Sequence, residues 1–239
     1  MKLVIFAGGL GTRISEETDY VPKPMVRIGK RPILWHIIKY YSVFGFTEFI
    51  ICGGYKINVI KNYFEKLKKK FNISWNVKVI NTGVNSNTGE RLKRVKRHVG
   101  NTFCLTYGDG LSNVDINKLI NFHKKNKSIV TLTTVKPPPH FGKIIFKGNK
   151  VIKFLEKNPT TENWINGGFF ICEKKIFKYL NKKNCILEID VLSVLAQKNK
   201  LAGFKHNDFW YCLDTLRDKR HLNNLWSLKK APWKIWNDK

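Results

Sequence analysis

The chain has 239 residues, 43% hydrophobic and 26% charged, with 17 Gly and 8 Pro. That is enough chain to bury about 70 to 75% of its unfolded surface around one core, and its composition excludes the collagen-like and disordered classes. Forty-four Lys and Arg against 17 Asp and Glu leave a formal net charge of +27, a field that attracts polyanions of any kind. No apolar run approaches the ~20 residues of a membrane span. Leu3 to Ala7 is too short for the core of a secretory leader, which takes about 7 to 15 residues. Five cysteines without a C-x-x-C pair form neither a zinc motif nor a disulfide framework. A cytoplasmic protein is expected, with no membrane partner, and with Cys52, Cys104 and Cys172 acting as small core hydrophobes inside apolar runs.

In chain order, Lys2 to Phe6 is a buried strand ending in glycines. Pro32 opens a helix whose apolar face is Ile33, Leu34, Ile37, Ile38 and Tyr41, with Gly45 as its stop. Phe49 to Cys52 forms the second strand, and Ile57, Ile60, Phe64 and Leu67 mark the next helix. Val77 and Val79 mark a third strand, Arg91 to His98 can be helical, and Thr102 to Tyr107 is a fourth strand. Asp115 caps a helix through Ile116, Leu119 and Ile120, and Ile129 to Val135 is β-branched and strand-like. This alternation predicts an α/β fold with a mostly parallel sheet and helices on both faces. After Pro137 the pattern shifts to short strands (Lys143 to Phe146, Val151 to Leu155, Gly168 to Cys172). A helix near Leu187 to Gln197 and a last strand from Phe209 to Leu213 follow, together reading as a β-rich subregion. The expectation is one domain with a nucleotide-binding half over 1–136 and a second half over 137–239. Its cleft should lie at the carboxyl ends of the parallel strands.

Basic residues cluster at Lys66, Lys68, Lys69 and Lys70, and again from Arg91 to Arg97. No ribonucleoprotein motif, finger spacing or basic zipper accompanies them, so a solvated surface accounts for the charge better than a specific nucleic-acid partner. His36, His98, His123 and His206 are scattered without ligand spacing.

Two motifs carry chemistry. The loop Ala7, Gly8, Gly9, Leu10, Gly11, Thr12, Arg13 lets backbone N–H groups approach an anion, and Arg13 adds a fork of donors. It is neither a P-loop nor a dinucleotide fingerprint, since the G-K-[ST] string is absent and Ile14 stands where Gly or Ala belongs. Lys23 follows, held between Pro22 and Pro24, a stiff presentation of one cation suited to phosphate. Two acids stand at strand ends: Asp109 in Tyr107-Gly108-Asp109-Gly110, and Asp214 before Thr215. Taken alone, Asp109 could be a turn residue and Asp214 the N-cap of a following helix.

G-G-x-G-T-R at Gly8 to Arg13 followed by P-K-P at Pro22 to Pro24 resembles the sugar-1-phosphate nucleotidyltransferases. The likeness runs through nearly the whole chain, including Ile14 to Thr18, Ile50 to Lys56, Arg91 to Val95, Thr106 to Gly110, Asn166 to Phe170 and Asp214 to Asp218. In detail it looks most like members that join CTP to glucose 1-phosphate and release pyrophosphate. The resemblance implies a Rossmann-like mixed sheet with a smaller sugar-binding lobe, a homo-oligomer, and Mg²⁺ held by Asp109 and Asp214. It implies Arg13 and Lys23 as catalytic cations on the triphosphate. It implies nucleotide contacts from Phe6, Ala7, Gly8, Gly9, Leu10, Gly11, Thr12, Arg13, Ser86, Arg91 and Gly108, and sugar-phosphate contacts from Lys23, Gly142, Glu156, Lys157, Asn166 and Gly167. Asn158 departs from the family's E-K-P element, and the stretch from Lys56 to Thr82 is shorter than in similar proteins. Two other readings stand beside this one: the same chemistry with another nucleotide or sugar 1-phosphate, such as UTP or dTTP, and a non-catalytic module that binds polyanions.

Overall fold

The structure is a computed structural model that describes residues 1–71, 73–137, 143–155 and 164–237. One seven-stranded sheet organises the chain, in the order Leu201–His206, Val130–Val135, Ile165–Glu173, Thr102–Tyr107, Leu3–Ala7, Glu48–Gly53, Asn76–Asn81. All its neighbours are parallel except Ile165–Glu173, which runs against both strands beside it. The sheet takes strands from both sides of residue 136, while Lys143–Lys147 and Lys150–Leu155 form a separate antiparallel pair.

The period-2 pattern of the first strand explains why it lies at the centre. Leu3, Ile5 and Ala7 point into one core and Val4 and Phe6 into another, all buried, so two layers of helix are needed to cover them. Ile33–Val43, Ile57–Lys70, Ile116–Asn126 and Leu216–Ser227 cover the first face, and Thr88–Arg94 with the segment from Ile176 to Leu195 covers the second. Cys52, Cys104 and Cys172 are fully buried, and burial pushes all three thiols up. Asp115 caps its helix through the backbone N–H of Lys118 at 2.9 Å. Gly45 takes the left-handed conformation, φ 82°, just past the end of the helix it stops.

Some elements differ from the periodicity. Leu201–His206 is an edge strand that the sequence reading leaves unassigned, because Gly203 and half-exposed neighbours blur its alternation. The helix expected near Leu187 is wound as a π-helix over Leu187–Leu192 before it becomes α-helical at Ser193–Gln197. The expected helix from Arg91 begins earlier, at Thr88, and gives way to a 3₁₀ turn at Lys96–His98. No described helix is long and apolar enough to cross a membrane.

His36 is fully buried in this frame, beside Trp35, Trp226, Trp233 and Trp236. Its Nε2 donates to the Ile28 carbonyl at 2.9 Å, and Trp233 Nε1–H reaches Nδ1 at 3.4 Å, so a second ring proton would face another N–H. Burial pushes its pKa down to about 4. A depressed base binds fewer protons folded than unfolded, so its contribution is complete above the unfolded value and is lost as pH falls towards 4. Stability is therefore expected to drop by up to roughly 3 kcal/mol between pH 6.5 and pH 4 from this group. His36→Leu should flatten that part of the urea-midpoint profile, and a mutant with the wild-type slope would assign the acid sensitivity elsewhere.

Candidate active site

Chain order reverses beside the central strand. From Leu3–Ala7 the chain builds outward through Glu48–Gly53 and Asn76–Asn81, then returns to add Thr102–Tyr107 on the other side. The loops leaving Ala7 and Tyr107 diverge there, opening the crevice where α/β sheets bind ligands. A hollow of about 240 Å³ occupies it, lined by Phe6, Ala7, Gly9, Gly11, Thr12, Arg13, Lys23, Gly108 and Asp109 together with Pro24 and Tyr107.

The carbonyls of the glycine loop turn inward. Gly8 O accepts from Tyr55 N and from Arg91 Nη2, and Gly11 O accepts from Ile14 N and Thr18 Oγ1. Among the described residues, no backbone N–H from Gly9 to Thr12 donates to a protein acceptor, so the loop offers donors to the cleft. Gly11 needs to be glycine: at φ 71°, an added Cβ would sit 2.8 Å from Thr18 Cγ2 and 3.0 Å from Lys23 Cβ. Gly8 lies behind the hollow, and Leu10 points outward, 48% exposed.

Lys23 sits in a single 3₁₀ turn, Lys23–Met25, with Met25 N bonded to Pro22 O at 2.7 Å. Its ammonium lies 2.6 Å from Asp109 Oδ2 and 2.5 Å from Asp214 Oδ1, and Arg13 Nη1 is 2.8 Å from the other Asp214 oxygen. Burial opposes the Lys23 charge, but the Asp109 field and hydrogen bonds to both carboxylates outweigh it and raise the pKa above the ordinary lysine value. Arg13 is 72% exposed at its side chain and can swing toward a ligand.

The two acids meet because Trp210–Cys212 pairs antiparallel with Gly110–Ser112, and Leu213 N bonds Asp109 O at 2.9 Å. Asp214 is not a helix cap. Thr215 is, in a capping box with Asp218, whose carboxylate also holds the Asp214 backbone N–H at 3.0 Å and so fixes where that acid points. Cys212, absent from the sequence reading, presents its sulfur within 4.8 Å of both carboxylates. Burial and the adjacent Asp109 keep it a thiol.

Arg91, expected to contact the base, is engaged with backbone carbonyls behind the glycine loop. Its buried guanidinium donates to the carbonyls of Gly8, Gly53, Gly83 and Val84 and to Thr82 Oγ1, and so braces the glycine loop against the Thr82–Val84 turn. Ser86 is half-buried over Gly83, where an added Cβ would lie 2.8 Å from Ser86 Oγ. On the other side of Arg13 and Asp214 a second hollow of about 540 Å³ is lined by Ile165, Trp210 and Arg217, which the sequence reading missed. Gly167 is buried with its carbonyl bonded to Trp210 Nε1 at 2.7 Å, and Asn166 is exposed beside it. Gly142, Glu156 and Lys157 lie outside the described residues.

With this geometry in view, the sequence pattern of the nucleotidyl transferase family matches residues 2–238. The chain belongs to that family. It is similar, at 44% identity over 99% of its length and 100% of the relative's, to a protein of Salmonella typhimurium called glucose-1-phosphate cytidylyltransferase. A probable glucose-1-phosphate cytidylyltransferase of Bacillus subtilis is 37% identical over the same share of this chain and its own full length. Among solved structures, a UDP-glucose pyrophosphorylase complexed with UDP-glucose superposes with a TM-score of 0.74 over 95% of this chain and 98% of its own, at 18% identity. That likeness bears on the fold alone. A mixed, mostly parallel sheet flanked by helices is thus the family architecture, as the alternation of elements predicts.

Proposed function

We propose that the chain transfers the cytidylyl group of CTP to glucose 1-phosphate. A phosphate oxygen of the sugar attacks the α-phosphorus, the bond to the β-phosphate breaks, and pyrophosphate leaves with the electron pair, giving CDP-glucose. The observation that carries this reading is the Lys23 ammonium set between Asp109 and Asp214 at the mouth of the glycine loop. Near-full-length identity of 44% to a protein of that description supports the choice of substrates.

In-line displacement at phosphorus asks a protein for position and charge neutralisation more than for covalent chemistry. The free N–H groups of Gly9 to Thr12 cradle the triphosphate, with Phe6, Ala7 and Gly108 in the walls of the hollow, while Gly8 backs the loop from behind and Leu10 offers its backbone alone. Arg13 and Lys23 take up the negative charge that grows on departing pyrophosphate. Ser86 faces the base, held in place by the turn that Arg91 braces. Asn166 and Gly167 border the sugar phosphate, with Lys23 between the two substrates, and Gly142, Glu156 and Lys157 complete that side by family likeness. The division into a nucleotide half, 1–136, and a sugar half, 137–239, follows from these assignments, whereas a homo-oligomer working in the cytoplasm rests on family likeness alone. Asp109 and Asp214 would hold Mg²⁺. They fit it, being hard oxygen donors close enough to share one cation already, and the bound ion would neutralise triphosphate charge.

Purified protein with Mg²⁺ and glucose 1-phosphate, given CTP, UTP, dTTP, GTP or ATP separately, tests this. CDP-glucose and pyrophosphate should form with CTP at least about tenfold faster than with any other nucleotide. A different leading nucleotide would move the base assignment, and no pyrophosphate from any of the five would overturn the reading.

A further inference from the structure

The π-helical turn Leu187–Leu192 stands where the sequence expects a plain α-helix, and such turns concentrate at functional sites. Glu188 lies in it. The turn reaches the helix Thr88–Arg94 because Gly89 has no side chain: an added Cβ would meet Cys185 Sγ at 2.6 Å and Cys185 O at 2.9 Å. This contact brings the Glu188 carboxylate between two hydroxyls. Tyr107 OH donates to Oε1 at 2.5 Å, and Thr88 Oγ1 donates to Oε2 at 2.7 Å.

Each proton in this chain of bonds has an assigned direction. Thr88 Oγ1 accepts from Leu187 N at 2.9 Å, which leaves its own hydrogen for Glu188. Tyr107 spends its hydrogen on Glu188 and accepts from Asn166 Nδ2 at 3.1 Å. Asn166 Oδ1 in turn accepts from Gly168 N at 2.9 Å, so its amide cannot flip without losing both partners. Glu188 thus accepts at both ends of the sequence. Burial, reinforced by Glu188, raises the Tyr107 phenol above its ordinary value and keeps it a donor.

Tyr107 also lines the catalytic hollow, and Thr88 opens the helix that carries Arg91. We propose that Glu188 is a positioning residue that, through Tyr107, fixes the orientation of Asn166 toward the sugar phosphate. This rests on the reading of Asn166 as part of the sugar side. Glu188 touches neither substrate, and its effect passes through the tyrosine hydroxyl.

The test is steady-state kinetics of the full chain with CTP and glucose 1-phosphate for wild type, Glu188→Ala, Tyr107→Phe and the double variant. Glu188→Ala should raise KM for glucose 1-phosphate about tenfold, the scale of one hydrogen bond, while KM for CTP stays within about twofold. The double variant should be no worse than Tyr107→Phe alone, because both changes cut the same chain. Equal rises in both KM values, or effects that multiply, would assign Glu188 a general structural role and overturn the proposal. If Glu188→Ala does not fold, Tyr107→Phe decides, and an unchanged sugar KM overturns it. A wild type that turns over no substrate defeats the functional reading instead, whereas a working wild type with unaltered variants defeats the Glu188 proposal alone.

Discussion

Lys23→Ala is expected to lower turnover by about 10²-fold or more and, with no nucleotide present, to bind Mn²⁺ more tightly than the wild type. The two effects have one cause. The Lys23 ammonium lies 2.5 Å and 2.6 Å from the two carboxylates that would hold a metal, so an arriving cation competes with a cation already there. Removing the lysine leaves two neighbouring acids without their shared partner, a costly arrangement that a divalent ion relieves. When the triphosphate is bound, by contrast, the same lysine has phosphate oxygens to turn to, and its loss deprives the transition state of charge. Free Mn²⁺ followed by electron paramagnetic resonance during titration separates the two roles. Weaker or equal Mn²⁺ binding would show that Lys23 does not hold the cation position in solution, and unchanged turnover would remove it from the mechanism.

Asp214→Asn is expected to raise the Mg²⁺ concentration for half-maximal rate by at least about tenfold without lowering the melting temperature. An aspartate just before a helix reads as a cap, and loss of a cap costs about 1 kcal/mol. Here Thr215 carries the capping box with Asp218, so the helix Leu216–Ser227 loses nothing when Asp214 changes. Arg13 and Lys23 each lose one ion-pair partner, but repulsion between Asp109 and Asp214 is relieved at the same time. A destabilised variant with unaltered metal dependence would return Asp214 to a structural role.

These expectations began from short-range features. The glycine loop is legible because a tight turn straight after a strand favours residues without a side chain, and Lys23 because two flanking prolines leave the backbone few choices. Asp109 follows a buried strand whose end the glycines mark. The two-layer cover of the sheet is legible in the same way, since Leu3–Ala7 is apolar at every position and needs partners on both faces.

What escaped the sequence reading depends on residues far apart in the chain. Arg91 follows a glycine-rich stretch, and nothing nearby in sequence reveals that Gly8, Gly53 and Gly83 would present their carbonyls to it. Trp210 and Cys212 enter the site only because their strand pairs with Gly110–Ser112. Glu188 looks like one more charge on a helix until Gly89 lets that helix come close.

The sequence by itself determined the α/β alternation, the glycine loop, the rigid lysine and the family, because each is written in local backbone preferences and in spacing along one strand or turn. Only the tertiary structure decided that Ile165–Glu173 runs antiparallel inside an otherwise parallel sheet, that Asp109 and Asp214 share a cation, and that Glu188 reaches Tyr107. Those facts rest on which strand edges find hydrogen-bond partners and which backbones approach closely enough to pack, and neither is encoded within one segment of the chain.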